Sequence, residues 1–312
     1  MELMVHERRD EADGVVSLTL VRADGADLPA WSPGAHVDVH LTASLTRQYS
    51  LCSDPGDRRR WRIGVLREPG GRGGSQYVLD KVHAGDIVEV GAPRNHFELV
   101  RAPRYVFVAG GIGITPILPM VAQAERDGAD WTLLHGGRSR TSMAFTAELA
   151  RYGGRVTIAP QDEVGLPDLD TLLAVPRADT AVYACGPGPL LDAVAERTAA
   201  WPAGCLHVER FAPAAHRDTA PGETFVVEFA ASGVRVTVGP DRSILAAAQA
   251  AGVRADFSCG EGTCGSCEAP LLAGHVDHRD SVLDDDEREA QDCLMICVSR
   301  AGPGCPVLRI DL

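Results

Sequence analysis

Residues 106–124 read VFVAGGIGITPILPMVAQA, nineteen consecutive positions without a charge. A run of that length and apolarity is what a membrane-spanning helix needs. Gly110, Gly111, Gly113, Pro116 and Pro119 interrupt it, however, so a strand, a glycine turn and a helix fit it better. The chain downstream repeats that texture. After YVFVAGG and the helical ITPILPMVAQAERDG come the strand WTLLHGG, a helix around TAELARYGG and the strands RVTIAP and TAVYACG. The helix PLLDAVAERTAAW and a closing strand, LHVERF, complete the series. Strands alternating with helices predict a parallel α/β sheet.

Upstream, the first hundred residues are mainly strands: GVVSLTLV, HVDVHL, RQYSLC, WRIGVLRE and DIVEVG. In HVDVHL, Val37, Val39 and Leu41 alternate with Asp38 and His40, the period of a half-buried strand. Short strands with one helix, SQYVLDKV, predict a small antiparallel barrel. At the other end, APAAHRDTAPGE (residues 212–223) reads as a linker. Beyond it lie two strands (TFVVEFAA and VRVTVG), a helix SILAAAQAAG with Ser243 as its N-cap, a cysteine-rich loop and a last strand, PVLRIDL. The expected division is 1–100, 101–213, a linker at 214–222, and 223–312. No internal repeat stands out.

The 312 residues are 45% hydrophobic and 23% charged, which excludes wholesale disorder. The formal net charge of −13 argues against a nucleic-acid partner, since phosphate binding needs a basic face. The acidity is lopsided: residues 222–312 carry 15 acids against 7 bases, or −8. Lys81 is the only lysine among the 30 basic residues, a mark of coding bias and not of mechanism. Nine cysteines is an odd number, and the opening MELMVHERRDEADG has no apolar signal core. The expectation is a soluble cytoplasmic protein without a disulfide framework and without a membrane segment.

The cysteines carry chemistry in their spacing: Cys259-GEGT-Cys264-GS-Cys267, then Cys297 at a distance. C-x4-C-x2-C with one remote cysteine is the spacing of plant-type [2Fe–2S] ferredoxins. Four thiolates must converge on two irons, and Gly260, Gly262 and Gly265 let one loop supply three of them while backbone N–H groups approach the sulfurs. A structural zinc site usually pairs two C-x2-C units, and only one exists here; zinc and unligated thiols are the alternatives. Cys293 competes with Cys297 as the fourth ligand; the segment ICVSRA around Cys297 resembles the one that holds that ligand in such domains. The remaining thiols, Cys185 excepted, read as small buried hydrophobes.

On these residues the last ninety positions resemble a ferredoxin domain, and the whole chain resembles the phthalate dioxygenase reductase family. Members carry a flavin domain, a nicotinamide domain and a C-terminal ferredoxin domain in that order. The resemblance implies a multidomain chain: an antiparallel β-barrel for FMN, an α/β parallel-sheet domain for NAD(P), and a β-grasp (α+β) ferredoxin domain.

For the flavin, Arg47-Gln48-Tyr49-Ser50 lies on an expected strand and resembles the family's R-x-Y-S motif. A flavin needs a cation for its phosphate, an aromatic face for its ring and a donor near its reactive nitrogen, which Arg47, Tyr49 and Ser50 offer. By themselves they could equally be cross-strand pairs. Gly73-Gly74-Ser75 opens a helix whose first N–H groups suit a phosphate; in the family this turn binds the flavin phosphate, with the hydroxyl helping. HAGDIVEVGAPRNHFEL matches the family's domain ending. FMN in place of FAD is implied by the family, not by spacing.

For the nicotinamide, Gly110-Gly111-Ile112-Gly113-Ile114-Thr115-Pro116 turns a strand into a helix. Its glycines permit close approach of a pyrophosphate. It departs from G-x-G-x-x-G at Pro116 and resembles the ferredoxin-reductase form. Cys185-Gly186-Pro187 ends a strand, where α/β sheets bind ligands. The resemblance puts Cys185 beside the nicotinamide with Thr115 nearby; a buried strand-end thiol is the bland alternative. Glu209-Arg210-Phe211 resembles the family's domain terminus, whose aromatic residue covers the flavin, although Phe211 could be a core residue. Arg138, Ser139 and Arg140 follow WTLLHGG, where the adenine ribose should lie; they could take a 2′-phosphate, with no acid present for a free hydroxyl. The family implies NADH, and NADPH stays open.

The resemblance implies a converter of two-electron into one-electron chemistry. NAD(P)H passes hydride to the flavin, with Ser50, Thr115 and Cys185 aligning the rings, and electrons leave singly through the cluster. The implied partner is a terminal oxygenase, a Rieske non-haem iron enzyme or a cytochrome P450, docking near the acidic ferredoxin domain. A carrier module that no longer uses nicotinamide and a zinc-stabilised interaction protein are the other readings.

Overall fold

The computed structural model describes residues 1–213 and 223–312, so the expected linker at 214–222 lies outside the described residues. The chain forms two compact units, Met1–Glu209 and Arg210–Leu312.

The first unit opens with strands β1 (Glu2–Ala12), β2 (Val15–Val21), β3 (His36–Thr42), β4 (Leu45–Ser50) and β5 (Trp61–Leu66), helix α1 (Gly74–Lys81) and strand β6 (Ile87–Val90). They form an antiparallel sheet in the order β4-β3-β6-β1-β2-β5. Its two outer strands meet through an antiparallel bridge between Leu51 and Ile63, so the sheet curls shut around Leu3, Val5, Val37, Val39, Trp61 and Ile63. Closure removes the exposed edges. Strand β1 has no counterpart in the sequence reading. Its inward Leu3 and Val5 are fully buried, but a run of charges follows them. One of those charges, Arg8, caps the end of α1 by donating to the carbonyls of Val78, Leu79 and Val82.

From residue 104 the pattern changes to β7 (Arg104–Gly110), α2 (Ile114–Arg126), β8 (Asp130–Gly137), α3 (Thr146–Leu149), β9 (Val156–Pro160), α4 (Gln161–Val164), α5 (Leu169–Leu172), β10 (Thr180–Cys185), α6 (Gly188–Thr198) and β11 (Leu206–Glu209). The strands make a parallel sheet in the order β11-β10-β7-β8-β9, as the alternation of strand and helix predicts. Apolar side chains line both of its faces, around Phe107, Trp131 and Tyr183 on one and Val108, Val182 and Val194 on the other. The helix expected around TAELARYGG is only α3 and a 3-10 turn, broken where Gly153 takes φ 57°. Pro119 sits inside α2 and removes the N–H that would bond the Thr115 carbonyl. Arg62 of β5 joins the two sheets: it pairs with Glu148 of α3 at 2.8 Å and lies over the Phe145 ring.

The second unit contains β12 (Phe225–Phe229), β13 (Val234–Val238), α7 (Ile244–Ala250), β14 (Glu268–Ala273), β15 (Val276–Asp277), α8 (Asp285–Ala290), β16 (Cys293–Met295), β17 (Arg300–Ala301) and β18 (Val307–Ile310). A mixed sheet runs β13-β12-β18-β14-β16, with β12 and β18 parallel. Ser243 caps α7 by accepting the Ala246 N–H at 3.1 Å, and Ile244, Leu245, Ala247 and Ala248 bury the helix. This is the β-grasp arrangement. Arg300 is buried and ties the β12–β13 end together, donating to the carbonyls of Arg242, Gly239 and Glu223 while lying 5.1 Å over Phe225.

Candidate functional site

Strands β7 and β10 are neighbours in register, with Ala109 beside Cys185, so their two terminal turns emerge together. The turns interlock through glycines. A Cβ on Gly113 would stand 2.2 Å from the Cys185 carbonyl oxygen, and one on Gly110 would stand 2.6 Å from Pro187. A Cβ on Gly186 would stand 2.9 Å from the Gly110 backbone, so Gly110, Gly113 and Gly186 are fixed by space. Gly111 faces open space and takes φ 54°. Thr115 is buried, its Oγ1 donating to the Ile112 carbonyl at 2.9 Å and its methyl packed on Gly64 of β5.

Cys185 is fully buried, and its Sγ donates to Oε2 of Glu209 at 3.8 Å across adjoining strands. Burial, and then the Glu209 charge, push the thiol well above its ordinary value. Glu209 is half-buried as a residue, but its carboxyl is enclosed, and burial raises it to about 8 against the hydrogen bonds of Cys185 and Ser50. Ser50, at the end of β4, is buried with its Oγ short of a hydrogen bond of normal geometry. Three strand ends therefore bring Ser50, Cys185 and Glu209 to one point where the barrel meets the α/β sheet. Glu209 escapes the sequence reading as a site residue. Its place opposite Cys185 depends on parallel register, which spacing does not reveal.

Arg47 reaches from β4 to the start of α1. It donates to the Thr46 and Arg72 carbonyls, both at 2.7 Å, and its side chain lies over Gly74, where a Cβ would come within 2.4 Å of its Cγ. Gly73 caps the helix at φ 81°. The Ser75 hydroxyl accepts the Glu68 N–H at 3.0 Å and keeps its own proton to donate. Tyr49 packs against the barrel core, and its hydroxyl is buried without a hydrogen-bond partner among the described residues. A guanidinium, a glycine turn at a helix N-terminus and an orphaned phenol fit a ligand with a phosphate and a polar ring.

At the end of β8, Arg138, Ser139 and Arg140 lie beside the turn after β9. Here the sequence reading needs correction, because an acid is present: Glu163 of α4 accepts two hydrogen bonds from Arg140, at 2.9 and 2.6 Å. Arg140 holds that carboxyl below the usual carboxylate range. The Asp162 N–H also donates to the Arg138 carbonyl at 3.2 Å. The acid lies 23 residues from the arginine and reaches it only through the β8–β9 pairing.

In the second unit, Cys259, Cys264, Cys267 and Cys297 are all buried. The Glu261 and Thr263 N–H groups donate to the Cys259 sulfur at 3.3 and 3.4 Å, and Cys264 receives the Cys259 N–H and lies 2.9 Å from the Ser266 hydroxyl. Cys264 and Cys297, then those N–H groups, draw the Cys259 thiol far down. Gly260, Gly262 and Gly265 have φ of 70°, 71° and 72°, the left-handed backbone that curls the loop. No three His, Cys, Asp or Glu side chains among the described residues gather as around a single ion. A binuclear cluster asks less, because each iron takes two thiolates. Cys293 is placed otherwise: it pairs with Pro270 in the sheet, and burial, then Glu268 and Asp292, raise its thiol to about 12. Donor set and N–H groups fit a [2Fe–2S] cluster on the four buried thiols. Phe211 belongs to this second unit and is 45% exposed, which does not fit a core residue.

Two family models match the chain: an oxidoreductase NAD-binding domain over residues 107–196 and a 2Fe-2S iron-sulfur cluster binding domain over 227–302. The phenoxybenzoate dioxygenase subunit beta of Ectopseudomonas oleovorans is 42% identical over 316 residues, covering 100% of this chain and 97% of that one. The solved phthalate dioxygenase reductase, described as a modular structure for electron transfer from pyridine nucleotides to [2Fe–2S], is 36% identical with a TM-score of 0.73 and covers 100% and 98%. An intact type IV self-sufficient cytochrome P450 monooxygenase is 44% identical with a TM-score of 0.93; all of this chain matches 41% of that one. Among the described residues no helix is long and apolar enough to cross a membrane.

Proposed function

The chain belongs to the phthalate dioxygenase reductase family, an NADH-dependent oxidoreductase family working through FMN and a [2Fe–2S] cluster, and from that premise we propose which residues serve each group. Arg47 and the Gly73-Gly74-Ser75 turn hold the FMN phosphate, with Tyr49 against the ring. The turn Gly110, Gly111, Gly113 receives the pyrophosphate of NADH. Cys185, Gly186, Pro187 and Thr115 form the seat of the nicotinamide, with Ser50 and Glu209 closing it. Cys259, Cys264, Cys267 and Cys297 ligate the cluster.

FMN supplies the step between a hydride pair and single electrons. The protein's own part is alignment and exclusion of water. The glycine interlock lets two turns approach one dinucleotide, and the buried Ser50, Cys185 and Glu209 present neutral polar groups where a hydride must not meet solvent. The observation that carries this reading is the close approach of the two turns, where a Cβ on Gly113 would stand only 2.2 Å from the Cys185 carbonyl oxygen, so that the pyrophosphate turn adjoins the nicotinamide seat.

The acceptor is a terminal oxygenase. A Rieske non-haem iron aromatic-ring oxygenase or O-demethylase is favoured by full-length relatives such as the phenoxybenzoate dioxygenase subunit. A cytochrome P450 is the second reading, favoured by the 44% identity to part of a self-sufficient monooxygenase. The acidic residues 222–312, with their net −8, would steer a basic partner face. In an anaerobic titration NADH is expected to bleach the flavin first and then the cluster. Failure to bleach the flavin would leave an electron carrier that does not use nicotinamide. Reduction rates of purified Rieske oxygenase and P450 acceptors, measured against salt, decide between the partners.

A further inference from the structure

The pyrophosphate turn ends β7, and β7 lies between β10 on one side and β8 on the other. If the nicotinamide lies over the end of β10, at Cys185, the dinucleotide must cross the turn and lay its adenosine over the end of β8. That end carries Arg138, Ser139 and Arg140. An arginine there normally marks a site for a ribose 2′-phosphate, since its fork matches a phosphate with two hydrogen bonds. Here the fork is already taken. Arg140 Nε and Nη2 donate to the two carboxylate oxygens of Glu163 at 2.9 and 2.6 Å. The Asp162 N–H on the Arg138 carbonyl holds the loop that presents Glu163 against the loop that presents Arg140.

We propose that Glu163 is a specificity-determining residue that makes this reductase prefer NADH to NADPH. It occupies the Arg140 fork and adds a carboxylate to the ribose pocket. A 2′-phosphate, with a charge of about −1.5 to −2, would meet that carboxylate and find its cation engaged. A free ribose hydroxyl, being neutral, meets neither penalty. Selection here works by a repulsive element as much as by an attractive one. The inference rests on the nicotinamide seat assigned above and names the residue that tells two substrates apart at its far end.

The test uses the full-length holoprotein and two probes, 5′-ADP and 2′,5′-ADP, titrated by calorimetry into the wild type, Glu163→Gln and the double variant Glu163→Gln/Arg140→Gln. Wild type is expected to bind 2′,5′-ADP the more weakly. Glu163→Gln should shift the ratio of the two dissociation constants up to about fivefold toward 2′,5′-ADP, the size of one exposed charge contact. The double variant should reverse that gain, which a general loosening of the loop would not do. The ratio of kcat/KM for NADPH and NADH should follow the same order. An unchanged ratio in Glu163→Gln, or a wild type that already favours 2′,5′-ADP, overturns the proposal. Failure of 5′-ADP to bind the wild type at all would instead remove the nucleotide site, and this inference with it.

Discussion

Cys185 and Glu209 face each other from adjacent parallel strands, the thiol donating to the carboxyl Oε2 over 3.8 Å in a buried corner that Ser50 also lines. Neither group ionises easily there, and burial raises the Glu209 carboxyl to about 8. Between pH 4.5 and about 8 the folded chain therefore keeps a proton that the unfolded chain has lost. The stability this provides is complete below the ordinary carboxyl value and is lost as pH rises toward 8, by up to about 1.4 kcal/mol per unit.

Glu209→Gln should accordingly flatten the fall in stability between pH 6.5 and 8, read from urea midpoints. That window avoids His135, which burial lowers to about 4, and His278, which burial also lowers; their contributions are lost only as pH falls below 6.5. The same slope in variant and wild type would mean that the carboxyl titrates as an exposed one does. In hydride transfer the amide should serve nearly as well as the neutral acid at pH 6.5, and Glu209→Ala should not, because it leaves the Cys185 thiol and Ser50 without their partner.

Gly113→Ala places a methyl 2.2 Å from the Cys185 carbonyl oxygen and 2.5 Å from its carbon, both backbone atoms that cannot swing aside. The two turns must part, at a cost of about 1–3 kcal/mol. Flavin reduction by NADH should fall on the order of a hundredfold, since misplacement by about 1 Å has that effect on an aligned reaction. Flavin and cluster absorption should stay. Gly154→Ala, which meets nothing within 4 Å, is the control. Equal rates in the two variants would detach the glycine turn from nicotinamide binding.

What could be read from the residues was whatever is local: the alternation that makes β3, the glycine turn after β7, the Ser243 cap and the spacing of three cysteines. What escaped depends on partners far along the chain. Leu3 and Val5 are two buried positions in a strand otherwise full of charges, and only pairing with β2 and β6 makes them a core. Glu209 becomes a site residue through register with Cys185, and Glu163 through the neighbourhood of β8 and β9. Helix α8 is polar along its length and rests on the capping box of Asp284 and Glu287, a signal with no apolar period behind it.

Cys297→Ala should abolish the visible bands of the cluster while NADH still bleaches the flavin. Cys293→Ala should keep both. The distinction follows from placement: Cys297 is buried beside Cys259 and Cys267, whereas Cys293 stands in β16 opposite Pro270. Loss of the cluster in the Cys293 variant alone would move the fourth ligand to that strand.

Arg47→Ala removes the cation lying across Gly74 at the mouth of α1. A hydrogen bond to a charged group contributes about 1.5–3 kcal/mol, so flavin affinity should weaken roughly ten- to hundredfold. Gel filtration followed by the flavin-to-protein absorbance ratio measures the loss. The guanidinium also holds the Thr46 and Arg72 carbonyls, so part of any effect could come from the turn and not from the phosphate. Arg47→Lys separates the two. A lysine keeps the positive charge but lacks the planar fork. Partial rescue of flavin retention by lysine, at low salt and not at high salt, assigns the effect to phosphate charge. Equal loss in both variants assigns it to the shape of the turn, and full flavin content in both removes Arg47 from the site.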